Sequence, residues 1–390
     1  MEKIGKNIRL LHKAKQSSVP QCCLVDITLL IFYFKRSIYF LKEVKMKYRF
    51  LGKSGLLVSR ISLGTMTFGT PDWGCDEIEA HSIIKKYLDT GGNFLDCADI
   101  YAGGKSEEIL GNMMSQIPRD QIIIASKCYF PVGKEPNRYG LSRKHVIASC
   151  EGSLRRMKTD YIDLYYIHGP DPITPLEETV RALDDLVRQG KVRYLGCSNL
   201  FAWQIAKAAG ISARMNLEKF IAAQHVYNLI HREPEKEIIP AISDHGIGLL
   251  CYSPLGGGLL SGKYKGMTQP AEGTRHFFRT QVDGPRFWHA KGLKTAQILE
   301  KVSSECGISM TRLAIAWPLK RKIVASVIIG VRKLEQLEEN MLSSDWDMPE
   351  DVWHALEEET RPEEEYLSWF NKRNYERFFS AAEFYNEQKF

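Results

Sequence analysis

From residue 46 onward the chain alternates two kinds of apolar pattern. Short runs of about five residues, "RISLG", "NFLDC", "QIIIAS", "YIDLYYI", "VRYLGC", "KFIAAQ", "GIGLLCY" and "ASVIIG", read as buried strands. Between them lie longer stretches with helical spacing. "CDEIEAHSIIKKYLDTGG" shows the 3.6 period with Gly91 as its stop, and "SRKHVIASCEGSLRRM" starts on Ser142 as a cap. Ahead of them, "YRFLGKSGLLVSRI" places two short apolar runs around Lys53-Ser54-Gly55, a hairpin signal. Eight strands with helical crossovers predict an α/β chain: a (β/α)8 TIM barrel with an N-terminal β-hairpin and a C-terminal helical tail. The competing open doubly wound sheet needs a G-x-G-x-x-G turn straight after a strand. "GGGLLSG" follows Tyr252 but leads into no such unit.

Residues 1–45 break the pattern. "CCLVDITLLIFYF" is apolar and flanked by lysine-bearing segments, yet it is short for a bilayer, contains Asp26 and precedes no small-residue cleavage site. Met46 then opens "MKYRFLGKSGLLVS", which reads as a natural start. The expected organisation is a poorly structured extension over 1–45, the barrel over 46–360 and the helical tail over 361–390. A peripheral membrane tether is the alternative reading of the extension.

Composition changes this picture little. With 390 residues, 44% hydrophobic and 26% charged, the chain has ample material for a core. A net charge of +6 scattered over helical faces argues against a nucleic-acid surface. Nine cysteines with no C-x-x-C pair, several of them inside strand runs, suit reduced buried thiols in a cytoplasmic protein, and no Cys/His group has metal-ligand spacing.

Candidate chemistry sits at the strand ends. Asp96, Lys127, His168, Ser198-Asn199, Gln224, Tyr252 and Gly330 each close a strand run. In a parallel barrel all strand C-termini meet at one face, so these residues would surround one cavity. Singly, an Asp–Lys pair reads as a structural ion pair and a lone histidine as a core residue. Together, at neighbouring strand ends, they point to a reaction.

"NFLDCADIY", "IIIASKC", "DLYYIHGPD", "GKVRYLGCSN", "AAQHVYN", "LLCYSPLGGGLLSGKY" and "VIIGVRKLEQLEEN" resemble, in this order, the motifs of aldo-keto reductases. The resemblance runs from Met46 to about Trp353 and is strongest to microbial, plant and fungal members. It implies reduction of aldehydes or ketones, with Tyr101 as general acid/base supported by Asp96, Lys127 and His168. The residue types suit this: carbonyl reduction needs a proton as negative charge develops on oxygen. A phenol of reference pKa about 10 is made more acidic by an adjacent ammonium, which a carboxylate holds in place.

The resemblance also implies a nicotinamide cofactor. Ser198, Asn199 and Gln224 carry groups suited to its carboxamide, Tyr252 can stack on the ring, and Thr65 is added from the family pattern. Ser253, Pro254, Leu255 and Gly257 belong to "SPLGGGLLSGKY", a glycine-rich stretch able to fold over a pyrophosphate, with Lys263 and Arg275 as charge partners. Gly330 opens a loop into a helix, and matching relatives imply Arg332, Gln336, Glu339 and Asn340 near the adenosine end. The aldose-reductase-like branch has Lys-Ser at Gly330-Val331 and Arg at Gln336. The cationic residues nearby favour NADPH over NADH. Specificity falls to the loops "TFGTPDWGCDE", "YFPVGKEPNRYG" and 277–288 together with the C-terminal tail, where Trp73, Tyr129, Phe130, Phe278 and Trp288 read equally as an aromatic-lined mouth for a small-molecule apolar or aromatic carbonyl substrate or as packing residues. The alternative function is an NADPH-binding, redox-sensing regulatory subunit like the potassium-channel β subunits that share the barrel.

Overall fold

A computed structural model describes residues 45–379. The extension read over residues 1–45 therefore lies, apart from Lys45, outside the described residues, as does the end of the tail.

The hairpin forms as its pattern predicts: β1 (Tyr48–Phe50) pairs antiparallel with β2 (Leu57–Ser59). Eight parallel strands follow: β3 (Ile61–Gly64), β4 (Phe94–Asp96), β5 (Ile123–Cys128), β6 (Ile162–Ile167), β7 (Val192–Ser198), β8 (Phe220–Val226), β9 (Gly248–Tyr252) and β10 (Val324–Gly330). They close into a barrel in sequential order, with β10 pairing β3. The hairpin plugs the N-terminal end. Leu51 and Val58 are fully buried against Phe94, Ile123, Leu164, Ala222 and Leu250 in the barrel interior. Each such side chain contributes about 1.5–3 kcal/mol.

The crossovers carry α1 (Glu77–Asp89), α2 (Lys105–Met113), α3 (Arg143–Met157), α4 (Leu176–Arg188), α5 (Ala202–Met215) and α6 (Ile238–Asp244). Two short helices, α7 (Arg275–Phe278) and α8 (Thr280–Phe287), precede α9 (Ala290–Cys306) and α10 (Met310–Leu319). After the barrel come α11 (Leu334–Met341), α12 (Glu350–Glu359) and α13 (Tyr366–Phe379). The expected punctuation is present. Ser142 accepts from the backbone N–H of His145 at 3.3 Å at the start of α3, and Gly91, at φ +85°, donates to Leu88 O beyond the end of α1. The tail helix α13 is largely exposed and is tied at its start by the Lys236–Glu365 ion pair. Among the described residues, no helix is long and apolar enough to cross a membrane.

Candidate active site

The C-terminal ends of the strands surround one cavity of about 880 Å³. Asp96, at the end of β4, is 2% exposed, and one of its carboxylate oxygens accepts from Lys127 Nζ at 2.5 Å. Lys127, fully buried on β5, also donates to the Cys97 carbonyl at 2.6 Å and to Tyr101 Oη at 3.3 Å. The chain between Asp96 and Tyr101 enters a 3-10 turn, Tyr101–Gly104, in which Ala102 takes φ +48°. That left-handed conformation is costly for alanine, and it falls directly after Tyr101. The His168 ring stands edge-on to Tyr101 at a centroid distance of 6.0 Å. Asp96, Tyr101 and His168 line the cavity, while Lys127 reaches Tyr101 from behind the wall.

Electrostatics correct one sequence expectation. The adjacent ammonium does pull the Tyr101 phenol down, but burial outweighs it and pushes the pKa up to about 12, so Tyr101 is a neutral donor. Burial works against the charge on Lys127, yet Asp96 and then Tyr101 more than offset it and hold the ammonium above its ordinary value. Burial and the nearby Lys127 push His168 well below the usual histidine range, leaving a neutral imidazole.

A second network joins the remaining strand ends. Gln224 Nε2 donates to the other Asp96 oxygen at 2.7 Å, and Ser198 Oγ donates to the Gln224 carbonyl at 3.0 Å. Asn199 Nδ2 donates to His168 O and to Ser198 Oγ, both at 3.0 Å, and Tyr252 Oη donates to Asn199 Oδ1 at 2.8 Å. Asn199 and Ser253 hold φ of +60° and +54°, so left-handed backbone recurs where strands open into the cavity. One Gln224 donor is thus committed to Asp96, and the side chain also meets the buried Tyr166 hydroxyl.

Ser253, Pro254, Leu255, Gly257, Lys263 and Arg275 line the same cavity, as do Gly330, Arg332, Gln336, Glu339 and Asn340. Gly257 and Gly258 lie at φ +66° and +100°, exposing backbone rather than side chains. Among the described residues, neither Lys263 nor Arg332 has a carboxylate partner within 4.0 Å. A glycine-rich cradle beside unpaired cations is the donor set for a phosphate. Gln336 turns its amide oxygen to the Arg332 backbone N–H at 2.9 Å.

Two expectations change. Thr65 does not line the cavity: it is fully buried, donating to Asp96 O at 3.2 Å and accepting from Ser106 Oγ at 2.8 Å, and so supports the strand end that carries Asp96. Of the five aromatics read as a mouth, Trp73 and Phe130 line it, whereas Tyr129, Phe278 and Trp288 do not. Trp288 packs on Tyr264 and His276 instead. Sequence reading also passed over Arg279 and Arg286, which line the cavity from α7–α8. Their only signal is basic spacing around Asp283.

A family model described as "Aldo/keto reductase family" matches residues 60–360. The chain is 38% identical over 304 residues to a "Probable voltage-gated potassium channel subunit beta" of Oryza sativa subsp. japonica, covering 77% of this chain and 92% of the relative. It is 35% identical over 320 residues to the versiconal hemiacetal acetate reductase of Aspergillus parasiticus, covering 76% and 92%. It is 36% identical over 329 residues to an aldo-keto reductase of Alternaria alternata, covering 77% and 87%. The barrel, the strand-end cavity and these matches together make the chain a member of the aldo/keto reductase family of oxidoreductases.

Proposed function

We propose that this protein reduces aldehydes or ketones to alcohols with NADPH, using Tyr101 as the proton donor. The observation that carries this reading is the buried chain Asp96–Lys127–Tyr101, which delivers one neutral phenol to the cavity at 3.3 Å from a fixed ammonium. A bound reduced nicotinamide would supply hydride to the carbonyl carbon. Tyr101 gives its proton to the carbonyl oxygen as charge grows there, and Lys127 stabilises the phenolate left behind. Asp96 holds Lys127 in place, and the neutral His168 imidazole donates one N–H to orient the substrate oxygen. Asn199, Gln224 and Tyr252 would hold the ring, with Lys263, Arg275 and Arg332 at the phosphates. The three cations, two of them without a carboxylate partner, support NADPH over NADH.

The test is Tyr101→Phe. Turnover of p-nitrobenzaldehyde should fall by a factor on the order of 10² to 10⁴, while NADPH binding, read by fluorescence, stays close to the parent. Undiminished turnover would remove the reading. The relatives named as potassium channel β subunits support a second one, in which the same cavity holds NADPH for regulation. That reading expects tight NADPH binding with no carbonyl-dependent oxidation across an aldehyde and ketone panel.

A further inference from the structure

Beyond Arg275 at the phosphate end, the cavity wall carries positive charge, on Arg279 and Arg286, that the reduction proposed above does not use. Arg275, Arg279 and Arg286 converge on Asp283, whose side chain is fully buried. Asp283 Oδ2 accepts from Arg275 Nε at 2.7 Å and Arg279 Nε at 3.3 Å, and Oδ1 from Arg286 Nη1 at 3.5 Å. Among the described residues it is the only carboxylate paired with any of the three. One negative charge against three leaves two positive charges at the cavity wall.

The arginines divide by direction. Arg275 and Arg279 stack on Trp73, at 5.2 and 5.1 Å from the ring centre, and Arg275 stands near enough to Lys263 to help depress its pKa, at the phosphate end. Arg286 turns the other way. Its guanidinium lies 5.8 Å from the centre of the Tyr252 ring, and the Tyr252 hydroxyl donates to Asn199, which in turn donates to the backbone carbonyl of His168. The Arg286 carbonyl is held by His231 Nε2 at 2.5 Å and His289 Nε2 at 3.2 Å, which fixes its backbone. Its contact with Asp283 is long and it also hydrogen-bonds the Tyr252 side chain, which leaves its remaining N–H groups for a further acceptor. Trp73 and Phe130 supply apolar wall along the same cavity.

Resting on the reductase reading above, we propose that Arg286 selects carbonyl substrates that also carry a carboxylate, binding the anion while Tyr101 and His168 hold the carbonyl. A planar guanidinium pairs with carboxylate through two parallel hydrogen bonds, and Asp283 keeps the fork aimed while Arg275 and Arg279 raise the local positive potential. The apolar wall suits a rigid or aromatic spacer between the two groups.

The experiment compares 4-carboxybenzaldehyde with its neutral methyl ester, methyl 4-formylbenzoate, in the parent, Arg286→Gln and Arg286→Lys, with NADPH affinity measured alongside. The parent should favour the acid by about 10- to 100-fold in kcat/KM, the range for a hydrogen bond to a charged group. Arg286→Gln should erase most of that ratio, mainly through KM, and Arg286→Lys should keep part of it. High salt should narrow the parent's preference. Asp283 retains two arginines in either variant, so the fold is expected to stand. Equal use of acid and ester by the parent, or an unchanged ratio in Arg286→Gln, would overturn the proposal while leaving the reductase reading intact. A ratio untouched while NADPH affinity drops would assign Arg286 to the cofactor instead and overturn it too. Turnover of neither aldehyde by the parent would sink both readings.

Discussion

Asp99 lies two residues before Tyr101 and holds the loop that carries it. Its backbone N–H donates to Lys127 O at 3.3 Å, and its carboxylate accepts a hydrogen bond from Ser149 on α3. Among the described residues, the other carboxylate oxygen is buried without a hydrogen-bond partner. Burial pushes the pKa up to about 7, with Ser149 pulling it down and Glu107 adding to the rise. A carboxyl raised in the folded state binds its proton more tightly there than when unfolded. Stability from this group is therefore greatest at acid pH and declines as pH rises from about 4 to about 7, by about 1.4 kcal/mol per unit. Asp99→Asn should flatten that decline, as denaturant titrations at pH 5 and pH 8 would show; parallel curves for parent and variant would contradict it. Lys127 allows a second prediction at this scale. Alcohol oxidation needs the phenolate, so its rate rises with pH, and Lys127→Met should displace that rise to higher pH by removing the one cation that eases ionisation. An unshifted profile would mean that another group takes the proton.

Among the elements, the stretch after β9 is the most exacting. Gly258 sits at φ +100°, and a Cβ there would come within 2.7 Å of Lys263 Nζ. Gly258→Ala should therefore both strain the turn and displace the cation, weakening NADPH binding about tenfold or more while the barrel stays folded by circular dichroism. Burial, then Arg332, then Arg275 bring Lys263 down to about 8. A bound phosphate offsets that repulsion and raises the value again, so NADPH affinity should hold below pH 8 and fall above it, approaching tenfold per unit. Fluorescence titrations from pH 6.5 to 9.5 test the sign. The strands here were legible because buried parallel strands need unbroken apolar runs, and each run stops at a polar residue. The pair α7 and α8 was not legible. Gly284 and Pro285 interrupt any helical period, and the convergence of three arginines on Asp283 exists only once the chain folds back over the barrel. Thr65 illustrates another limit: its place after β3 was readable, but the hydrogen bond that turns it away from the cavity depends on Ser106, 41 residues on.

Across the whole molecule, α12 is latched to the barrel by a mixed network. Glu357 accepts from Arg232 Nη2 at 2.7 Å and Arg321 Nη2 at 3.1 Å, Glu235 accepts from both arginines, and the two guanidinia flank buried Trp317 at 5.1 Å each. Arg232 is 4% exposed and keeps its two-point contact with Glu235, so Glu357→Ala removes one of its two carboxylate partners, at a cost of about 1.5–3 kcal/mol. Thermal unfolding should show it as a clear drop in Tm, and a loss below about 1 kcal/mol would mean that the network is not cooperative. The barrel's own closure reaches further along the chain. Its final seam joins β10 to the first barrel strand, and the Ser326 and Ser62 hydroxyls that meet across it at 3.0 Å are 264 residues apart in sequence. Until that seam forms, β3 and β10 each present an unpaired flank to neighbouring chains. Loop-closure entropy makes so distant a pairing slow, so refolding yield should improve on dilution more than on lengthening the time allowed.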